Sequence, residues 1–346
     1  MNRSDKFPIF PKDCTSQLCR HLTKEVYEAL KDEVTRNGFT LAQAINSGVV
    51  NSDSGIGVYA GDAESYTLFA PLFDPIIEEY HGFSKEDKHK SNLNSDDLNA
   101  PNPDAEGDYI VSTRIRVGRN IDGLPLGPAI SREQRNEVER QVSEVLNGLE
   151  GKLAGTYYPL QGMSEANSAQ LIADHFLFKA GDRFLEAAGL NRNWPEGRGI
   201  YHNDEKSFLV WVNEEDQLRI ISMQMGGDIK EVFTRLSTAI GEIEKKVAFS
   251  YTDHLGYLTS CPTNLGTAMR ASVHIKLPKL AADMETFQKI ADTYHLQIRG
   301  IHGEHSESEG GVYDISNRRR LGVTEVECVQ DMYDGVVALI AKEKTL

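Results

Sequence analysis

Hydrophobic residues recur at helical spacing through the first eighty positions of the chain. Thr40 is placed to cap a helix through Ile45, and residues 68–82 are also predicted to be helical. No strand pattern appears before about residue 108. One longer helix is predicted over 15–36, ended by Asn37-Gly38, because apolar residues occupy every fourth position: Leu18, Leu22, Val26, Leu30 and Val34.

Residues 84–107 interrupt this pattern, because they are polar, poor in large apolar side chains and contain Pro101 and Pro103. Such composition is typical of a connecting segment. We therefore expect a small all-helical N-terminal domain over 1–83, a linker over 84–107 and a larger domain over 108–346.

Beyond residue 108 the apolar positions alternate, as expected for strands that are buried on one face. Tyr109 to Val117 and Ser272 to Leu277 follow this pattern, and Phe208–Val212 with Leu218–Met223 predict a hairpin. A helix is predicted over 174–179. Long amphipathic helices lie between the strands, and three have capping-box signals: Ser131 with Gln134, Asp228 with Glu231, and Thr324 with Glu327. Antiparallel hairpins mixed with long helices predict an α+β fold with a mainly antiparallel sheet flanked by helices.

Charge and cysteine content narrow the function classes. The 346 residues carry a net charge of −15, which disfavours binding to nucleic acid or to anionic membranes. No apolar run is long enough to span a membrane, and the N-terminus lacks an apolar leader. The cysteines are too few and too scattered for a disulfide framework or a zinc site, so a reducing cytoplasm is expected: Cys14, Cys19, Cys261 and Cys328.

Arginines cluster on this acidic chain in three places: 114–119, 192–198 and 318–320. The ordinary interpretation is solvated surface, and the alternative is a local anion site, because the guanidinium fork binds two phosphate oxygens at once. Alternation places Ser112, Arg114 and Arg116 on one strand face. A second strand repeats the arrangement with Ser272, His274 and Lys276 on one face and Arg270 entering on the same side. No P-loop sequence is present, so a nucleotide would be held mainly by arginine side chains.

Cys261 lies between hydroxyl residues in the segment 260–267, with Arg270 downstream. Hydroxyl donors and positive charge favour a thiolate, which would face a substrate cation. The alternative is a buried cysteine that only fills space. The acidic, glycine-closed segment 303–311 predicts either a solvated loop or a mobile lid that brings a carboxylate to the substrate.

Several long segments together resemble the phosphagen (guanidino) kinase family, most closely its arginine-specific members, from end to end. The segments are 112–116, 155–160, 174–179, 211–216, 260–267, 270–274 and 303–316, with 54–60 and Glu304 specific to the arginine-using members. The resemblance implies reversible Mg·ATP-dependent phosphoryl transfer to the guanidino group of L-arginine, which gives phosphoarginine and ADP and buffers cellular energy.

The resemblance also implies residue roles. Glu215, Cys261 and Glu304 would hold the guanidinium group, and Ser54, Gly55, Ile56, Gly57, Val58 and Tyr59 would bind the rest of the substrate. ATP would contact Ser112, Arg114, Arg116, His175, Arg219, Arg270, Ser272, His274 and Arg299. Asp53 and Arg183 would pair on domain closure. Gly61 replaces a proline usual in arginine-specific members, which suggests a more mobile loop.

Mg²⁺ is expected to be held by nucleotide and water, without protein ligands. A monomer is expected, with a homodimer as the alternative. Other functions that fit the motifs are transfer to taurocyamine, lombricine or creatine, transfer to arginine side chains in proteins, and nucleotide sensing without catalysis. The retained N-terminal region argues against the second of these, and the complete set of charged residues argues against the third.

Overall fold

The computed structural model describes residues 6–174, 176–300 and 310–346. Helices dominate its first eighty residues and flank a sheet in the remainder. The α-helices are α1 Gln17–His21, α2 Lys24–Leu30, α3 Leu41–Val50, α4 Ser65–Leu68, α5 Ala70–His81, α6 Arg132–Asn147, α7 Glu165–Ala173, α8 Arg183–Ala187, α9 Ile229–Glu244, α10 Pro278–Ala281, α11 Met284–Thr293 and α12 Glu325–Thr345. Short 3₁₀ turns span Ser95–Asp97, Gly151–Leu153 and Pro262–Asn264.

The strands form one large sheet and one small hairpin. They are β1 Ile110–Arg119, β2 Gly155–Pro159, β3 Gly199–Asn203, β4 Phe208–Val212, β5 Leu218–Met225, β6 Tyr251–Thr252, β7 Gly256–Tyr257, β8 Met269–Lys276, β9 Leu296–Gly300 and β10 Val312–Asn317. Within the described residues the large sheet has the order β2-β3-β4-β5-β1-β8-β10-β9, and its neighbouring strands run antiparallel. This arrangement confirms the predicted α+β fold, including the hairpin of β4 and β5.

One face of the sheet is closed by helices. The apolar stripe of α9 includes Val232, Phe233, Leu236 and Ile240, all fully buried, and α9 packs on β1 and β5. The opposing side chains of β1 are Thr113, Ile115 and Val117, which are also fully buried. Because side chains alternate along a strand, burying this set turns Ser112, Arg114 and Arg116 to the other face.

The N-terminal region is helical, as predicted, but the single helix over 15–36 is wrong. The structure forms α1 and α2 instead, because Ser16 and Thr23 accept hydrogen bonds from the backbone N–H groups of Cys19 and Val26. Hydroxyl side chains at these positions favour helix starts over helix interiors. Leu18, Leu22 and Leu30 still point into one apolar core.

The stretch 84–107 lacks long regular elements, but it packs closely on the larger part of the chain. Leu98 and Ala100 are almost fully buried in the core around the sheet. Asp104 accepts hydrogen bonds from three consecutive backbone N–H groups over 108–110 at 2.6–3.1 Å. These contacts hold the start of β1. The domain limits at 83 and 108 stay predictions.

Three further expectations differ from the structure. The helix predicted over 174–179 is absent at its described positions, because α7 ends at Ala173 and no regular element follows in 176–179. Cys14 and Cys19 form a disulfide with Cα atoms 6.5 Å apart, although scattered cysteines argued against a framework. The capping boxes at Ser131 and Thr324 are reciprocal, whereas at Asp228 only the side-chain acceptance from Glu231 is made.

No helix in the described part of the chain is both long and apolar enough to cross a membrane.

Candidate active site

The predicted nucleotide residues meet on the sheet face that α9 leaves uncovered. In the register of the sheet, Arg299 opposes Asp314, Asp314 opposes His274, and His274 opposes Ser112. The next row pairs Ser272 with Arg114, and the row after it pairs Arg270 with Arg116. Arg219 lies on the neighbouring strand β5, opposite Gly118. The structure thus brings eight of the nine predicted ATP contacts to adjoining strands, and the ninth, His175, lies outside the described residues.

These arginines repel one another in a site of low solvent access. Burial and the charges of Arg219 and Arg270 lower the pKa of Arg114 to about 10. Burial also holds the pKa of Arg116 well below its usual value, and the charges of Arg219, Arg114 and Arg270 act in the same direction. Within the described residues, the side chain of Arg116 makes no hydrogen bond or ion pair with protein, although its backbone is paired in the sheet. Arg114 and Arg116, which have no carboxylate partner among the described residues, form a surface suited to binding a polyanion.

Trp211 forms one wall of this arginine surface. Its ring centroid lies 5.7 Å from the guanidinium carbon of Arg114 and 5.3 Å from the guanidinium carbon of Arg219. The indole Nε1 donates to the carbonyl oxygen of Phe176 at 2.7 Å. These contacts hold the two arginines against an aromatic face.

Asp314 is a component of the site that the sequence analysis missed as an individual residue. Its Oδ2 accepts a hydrogen bond from Arg270 at 2.9 Å and lies 3.8 Å from His274 Nε2. Its Oδ1 is buried and has no partner among the described residues. Burial alone would raise the pKa of Asp314, but His274 and Arg270 outweigh it and lower the pKa. Alternation along 312–317, once paired with β8, was the signal that could have identified this carboxylate.

An acidic cluster stands beside the arginines, at the turn between β4 and β5. Arg219 Nη2 lies 3.0 Å from Glu214 Oε2 and 3.2 Å from Glu215 Oε2. Burial raises the pKa of Glu215 to about 7, because it outweighs the opposing effect of Arg219, and Asp216 and Glu214 raise it further. A carboxyl group whose pKa lies near neutral pH is suited to accept and release a proton. The turn therefore joins the arginine surface to a candidate acid–base residue.

Cys261 approaches the same cluster but is not poised as a thiolate. Its side chain is 5% exposed and its Sγ lies 3.1 Å from Thr263 Oγ1. Burial and then the charge of Glu215 raise the pKa of Cys261 to about 12, although the hydrogen bond from Thr263 opposes them. The sequence argument for a thiolate relied on nearby positive charge, but the dominant neighbour is a carboxylate. With these protein neighbours the thiol is neutral.

Tyr59 links the substrate loop predicted over 54–59 to these two groups. Burial raises the pKa of Tyr59, and its electrostatic interactions with the ionisable groups of Cys261 and Glu215 are the next largest causes. The three side chains are therefore electrostatic neighbours. Tyr59 N–H donates to Ala44 O at 2.9 Å, and Ala60 N–H donates to Ser260 O at 2.8 Å. These bonds fix the end of the loop against the segment that carries Cys261.

The rest of the loop is held by its own backbone. Gly55 O and Ile56 O accept hydrogen bonds from the N–H groups of Gln17 and Leu18, each at 3.0 Å. Gly57 has a φ of +82° and its Cα lies against Leu18, where an added Cβ would approach the Leu18 Cβ to 2.8 Å. Only glycine fits this position without strain. The loop is therefore a defined backbone surface rather than a disordered connection.

Gly61 is also held firmly, contrary to the expected mobility. Its N–H donates to Ser65 Oγ at 3.2 Å, and its carbonyl accepts from Leu126 N–H at 2.8 Å. The Phe39 ring occupies the space that a Cβ at Gly61 would need. A proline at this position would lose the first bond and meet the ring, which explains the glycine physically.

Asp53 and Arg183 form an ion pair between the N-terminal region and α8. Arg183 Nη1 donates to Asp53 Oδ1 at 2.8 Å and to Asn51 Oδ1 at 3.2 Å. Ser47 and Asn46 add side-chain hydrogen bonds to the carbonyl oxygens of Phe184 and Ala187. The pair thus belongs to the contact of α3 with α8. Glu304, the remaining predicted catalytic residue, lies in 301–309, outside the described residues.

The other two arginine clusters do not join this surface as groups. Arg192 and Arg198 donate to backbone carbonyl groups, and Arg198 is almost fully buried. Arg318 and Arg319 form ion pairs with Asp292 and Asp331, respectively. These arginines therefore stabilise local structure. Among the described residues, no group of three or more His, Cys, Asp or Glu side chains is arranged to hold a metal ion.

Comparisons with known proteins agree with this arrangement. Residues 137–346 match the family model "ATP:guanido phosphotransferase, C-terminal catalytic domain", and residues 12–78 match the corresponding N-terminal domain. An arginine kinase of Penaeus vannamei (Lit v 2) is 59% identical over 335 residues, which cover 96% of this chain and 94% of that protein. An arginine kinase of Anthopleura japonica is 58% identical over 349 residues, covering 98% of this chain and 49% of that protein.

Solved structures extend the similarity to other guanidino kinases. A lombricine kinase structure matches with a TM-score of 0.93 and 41% identity, covering 99% of this chain and 96% of the other. The substrate-free duplicated taurocyamine kinase from Schistosoma mansoni matches with a TM-score of 0.92 and 42% identity, covering 97% of this chain and 48% of the other. On these matches, which span both of its regions, the chain belongs to the ATP:guanido phosphotransferase family, the phosphagen kinases.

Proposed function

We propose that this protein catalyses reversible phosphoryl transfer between Mg·ATP and the guanidino group of L-arginine. The observation that carries the proposal is the direct contact of two surfaces of opposite charge. An arginine-lined sheet face meets an acidic turn, and Arg219 forms ion pairs with that turn. The first suits a triphosphate and the second suits a flat cation. Phosphoryl transfer needs such alignment and charge neutralisation more than covalent help from protein.

The nucleotide phosphates lie against Arg114, Arg116, Arg219, Arg270 and Arg299 in this proposal. Ser112, His175, Ser272 and His274 contact the remainder of the nucleotide. The lowered pKa values of Arg114 and Arg116 support it, because a bound polyanion would relieve the repulsion among these charges. Mg²⁺ enters as part of the Mg·ATP substrate, held mainly by phosphate and water oxygens.

The guanidinium group of arginine is clamped by Glu215, Cys261 and Glu304, while the 54–59 backbone receives the carboxylate end of the substrate. Glu215 is the better supported proton acceptor, because burial, against the opposing charge of Arg219, raises its pKa to about 7. Cys261 acts electrostatically, since no covalent step through sulfur is needed. A substrate cation beside it would favour its thiolate, whereas the protein groups around the thiol do not.

Arginine is preferred over the other guanidino compounds on the basis of similarity. The arginine kinases of Penaeus, Callinectes and Anthopleura species are 57–59% identical to this chain, whereas the lombricine and taurocyamine kinase structures are 41–43% identical. The loop at 54–59 supports the same choice, since Tyr59 shares an apolar cluster with Cys261 and lies within electrostatic range of Glu215.

A substrate panel tests the proposal. The purified protein is incubated with Mg·ATP and, separately, with arginine, taurocyamine, lombricine, creatine or an arginine-containing peptide, and phosphorus NMR follows the N-phosphorylated product. We expect rapid product formation with free arginine and ATP regeneration from phosphoarginine and ADP. Nucleotide binding with no phosphorylated product from any member of the panel would instead identify a nucleotide sensor.

A further inference from the structure

The backbone segment 259–262, which carries Cys261, is held from two sides. From the acidic turn, Asp216 Oδ1 accepts a hydrogen bond from Ser260 N–H at 2.8 Å, and Ser260 Oγ donates to the carbonyl oxygen of Glu215 at 3.0 Å. Asn120 Nδ2 also donates to Asp216 Oδ1 at 2.8 Å, which fixes that carboxylate. These bonds set the thiol-bearing segment relative to the candidate proton acceptor.

The second side of the segment is the N-terminal helical region. The hydroxyl of Tyr66, in α4, donates to Thr259 O at 2.7 Å, and this contact is buried. The ring of His81, the last residue of α5, has its Nε2 2.8 Å from Pro262 O. Because a carbonyl oxygen only accepts, Nε2 carries the proton in this contact. The carbonyl groups on both flanks of Cys261 are therefore fixed by N-terminal side chains.

Packing and charge also connect the Cys261 segment to the N-terminal helices. Cys261, Leu258 and Leu265 belong to the apolar cluster formed mainly by the N-terminal helices, not to the core around the sheet. Burial lowers the pKa of His81 to about 4, although its hydrogen bond to Pro262 opposes this. His81 is thus neutral near pH 7 and presents one N–H donor to the segment.

We infer that Tyr66 and His81 are positioning residues for the Cys261 thiol, so that the N-terminal region sets the geometry of the guanidinium clamp in addition to carrying the substrate loop. The inference rests on the proposed function. A thiol that shifts away from the guanidinium plane would lower turnover, because small displacements of aligned groups reduce rates strongly. Substrate binding through the loop and the arginines would change less.

Tyr66→Phe is the sharpest test, because it deletes one hydroxyl and leaves the ring. Tyr201→Phe is the matched control: Tyr201 is fully buried, and its hydroxyl donates to Leu153 O at 2.8 Å, between β3 and the turn at 151–153. Both variants lose a buried tyrosine–carbonyl hydrogen bond. We expect kcat to fall by about 10-fold or more in Tyr66→Phe, with KM for Mg·ATP within about twofold, and kcat to be kept in Tyr201→Phe.

Alkylation reports the thiol position independently of turnover. The iodoacetamide rate of Cys261, measured by mass spectrometry against Cys328 in the same molecule, should rise in Tyr66→Phe and stay constant in Tyr201→Phe. His81→Leu should resemble Tyr66→Phe, and His81→Gln, which keeps an N–H donor, should recover most of the lost kcat. If Tyr66→Phe does not fold, the comparison of His81→Leu with His81→Gln tests the positioning role instead.

The outcomes distinguish a failure of the proposed function from a failure of the positioning role. An inactive parent protein would overturn the proposed function. An active parent whose Tyr66→Phe and His81→Leu variants keep both kcat and the Cys261 alkylation rate would overturn the positioning role alone. Equal losses of kcat in Tyr66→Phe and Tyr201→Phe would assign the effect to stability and would also overturn it.

Discussion

Replacing Glu215 by glutamine should stabilise the substrate-free protein at alkaline pH while abolishing most turnover. Glutamine keeps the shape of the protonated side chain and removes its ability to ionise. The carboxyl group has a pKa of about 7 in the folded chain, against an ordinary value of 4.5, because burial and the neighbours Asp216 and Glu214 outweigh Arg219. The ionised side chain is therefore less favourable in the folded than in the unfolded chain.

The sign and the pH window follow from proton binding. Between pH 4.5 and about 7 the folded chain holds a proton at Glu215 that the unfolded chain releases, so stability falls as the pH rises through this range. A shift from 4.5 to about 7 corresponds to about 3 kcal/mol, at 1.36 kcal/mol per pKa unit. Glu215→Gln should match the parent near pH 4.5 and exceed its unfolding free energy increasingly up to about pH 8.

Urea denaturation at a series of pH values measures this difference. Glu144→Gln serves as the control, because this substitution removes the same charge from a side chain that is 77% exposed on α6. Adding saturating L-arginine should narrow the difference at alkaline pH, since the cation compensates the parent carboxylate and has less to bind in the variant. A difference that is independent of pH, or a variant less stable than the parent at alkaline pH, would refute the electrostatic argument.

Three further results are expected. Gly61→Ala should lower the unfolding free energy by about 1–3 kcal/mol in urea titrations, because the new methyl group meets the Phe39 ring; an unchanged midpoint would contradict the packing. Iodoacetamide should alkylate Cys261 slowly near pH 7 in the substrate-free protein, at a rate comparable with Cys328, since burial raises the pKa of both thiols to about 12. Rapid and selective labelling of Cys261 would restore the thiolate prediction. Arg183→Ala should leave the unfolding free energy nearly unchanged, because its ion pair is exposed and screened by solvent, yet raise KM for arginine several-fold. An unchanged KM would remove its role in closure.

Local patterns in the sequence were sufficient for much of the fold. Period-two alternation placed Arg114 and Arg116 on the face opposite Ile115, and the structure has this arrangement. Capping boxes at Ser131 and Thr324 start the helices as predicted. These features depend on neighbouring residues within a few positions, so a short stretch of sequence contains all the information they need.

Features that depend on distant residues or on solvent exclusion were decided only by the tertiary structure. Alternation placed Arg114 and Arg116 on one strand face, but it is the sheet register that brings Arg219 and Arg270, from two other strands, beside them. The sequence suggested a thiolate at Cys261, whereas burial beside Glu215 keeps the thiol neutral. Charge states follow the local dielectric and the neighbours in space, and neither can be obtained from spacing along the chain.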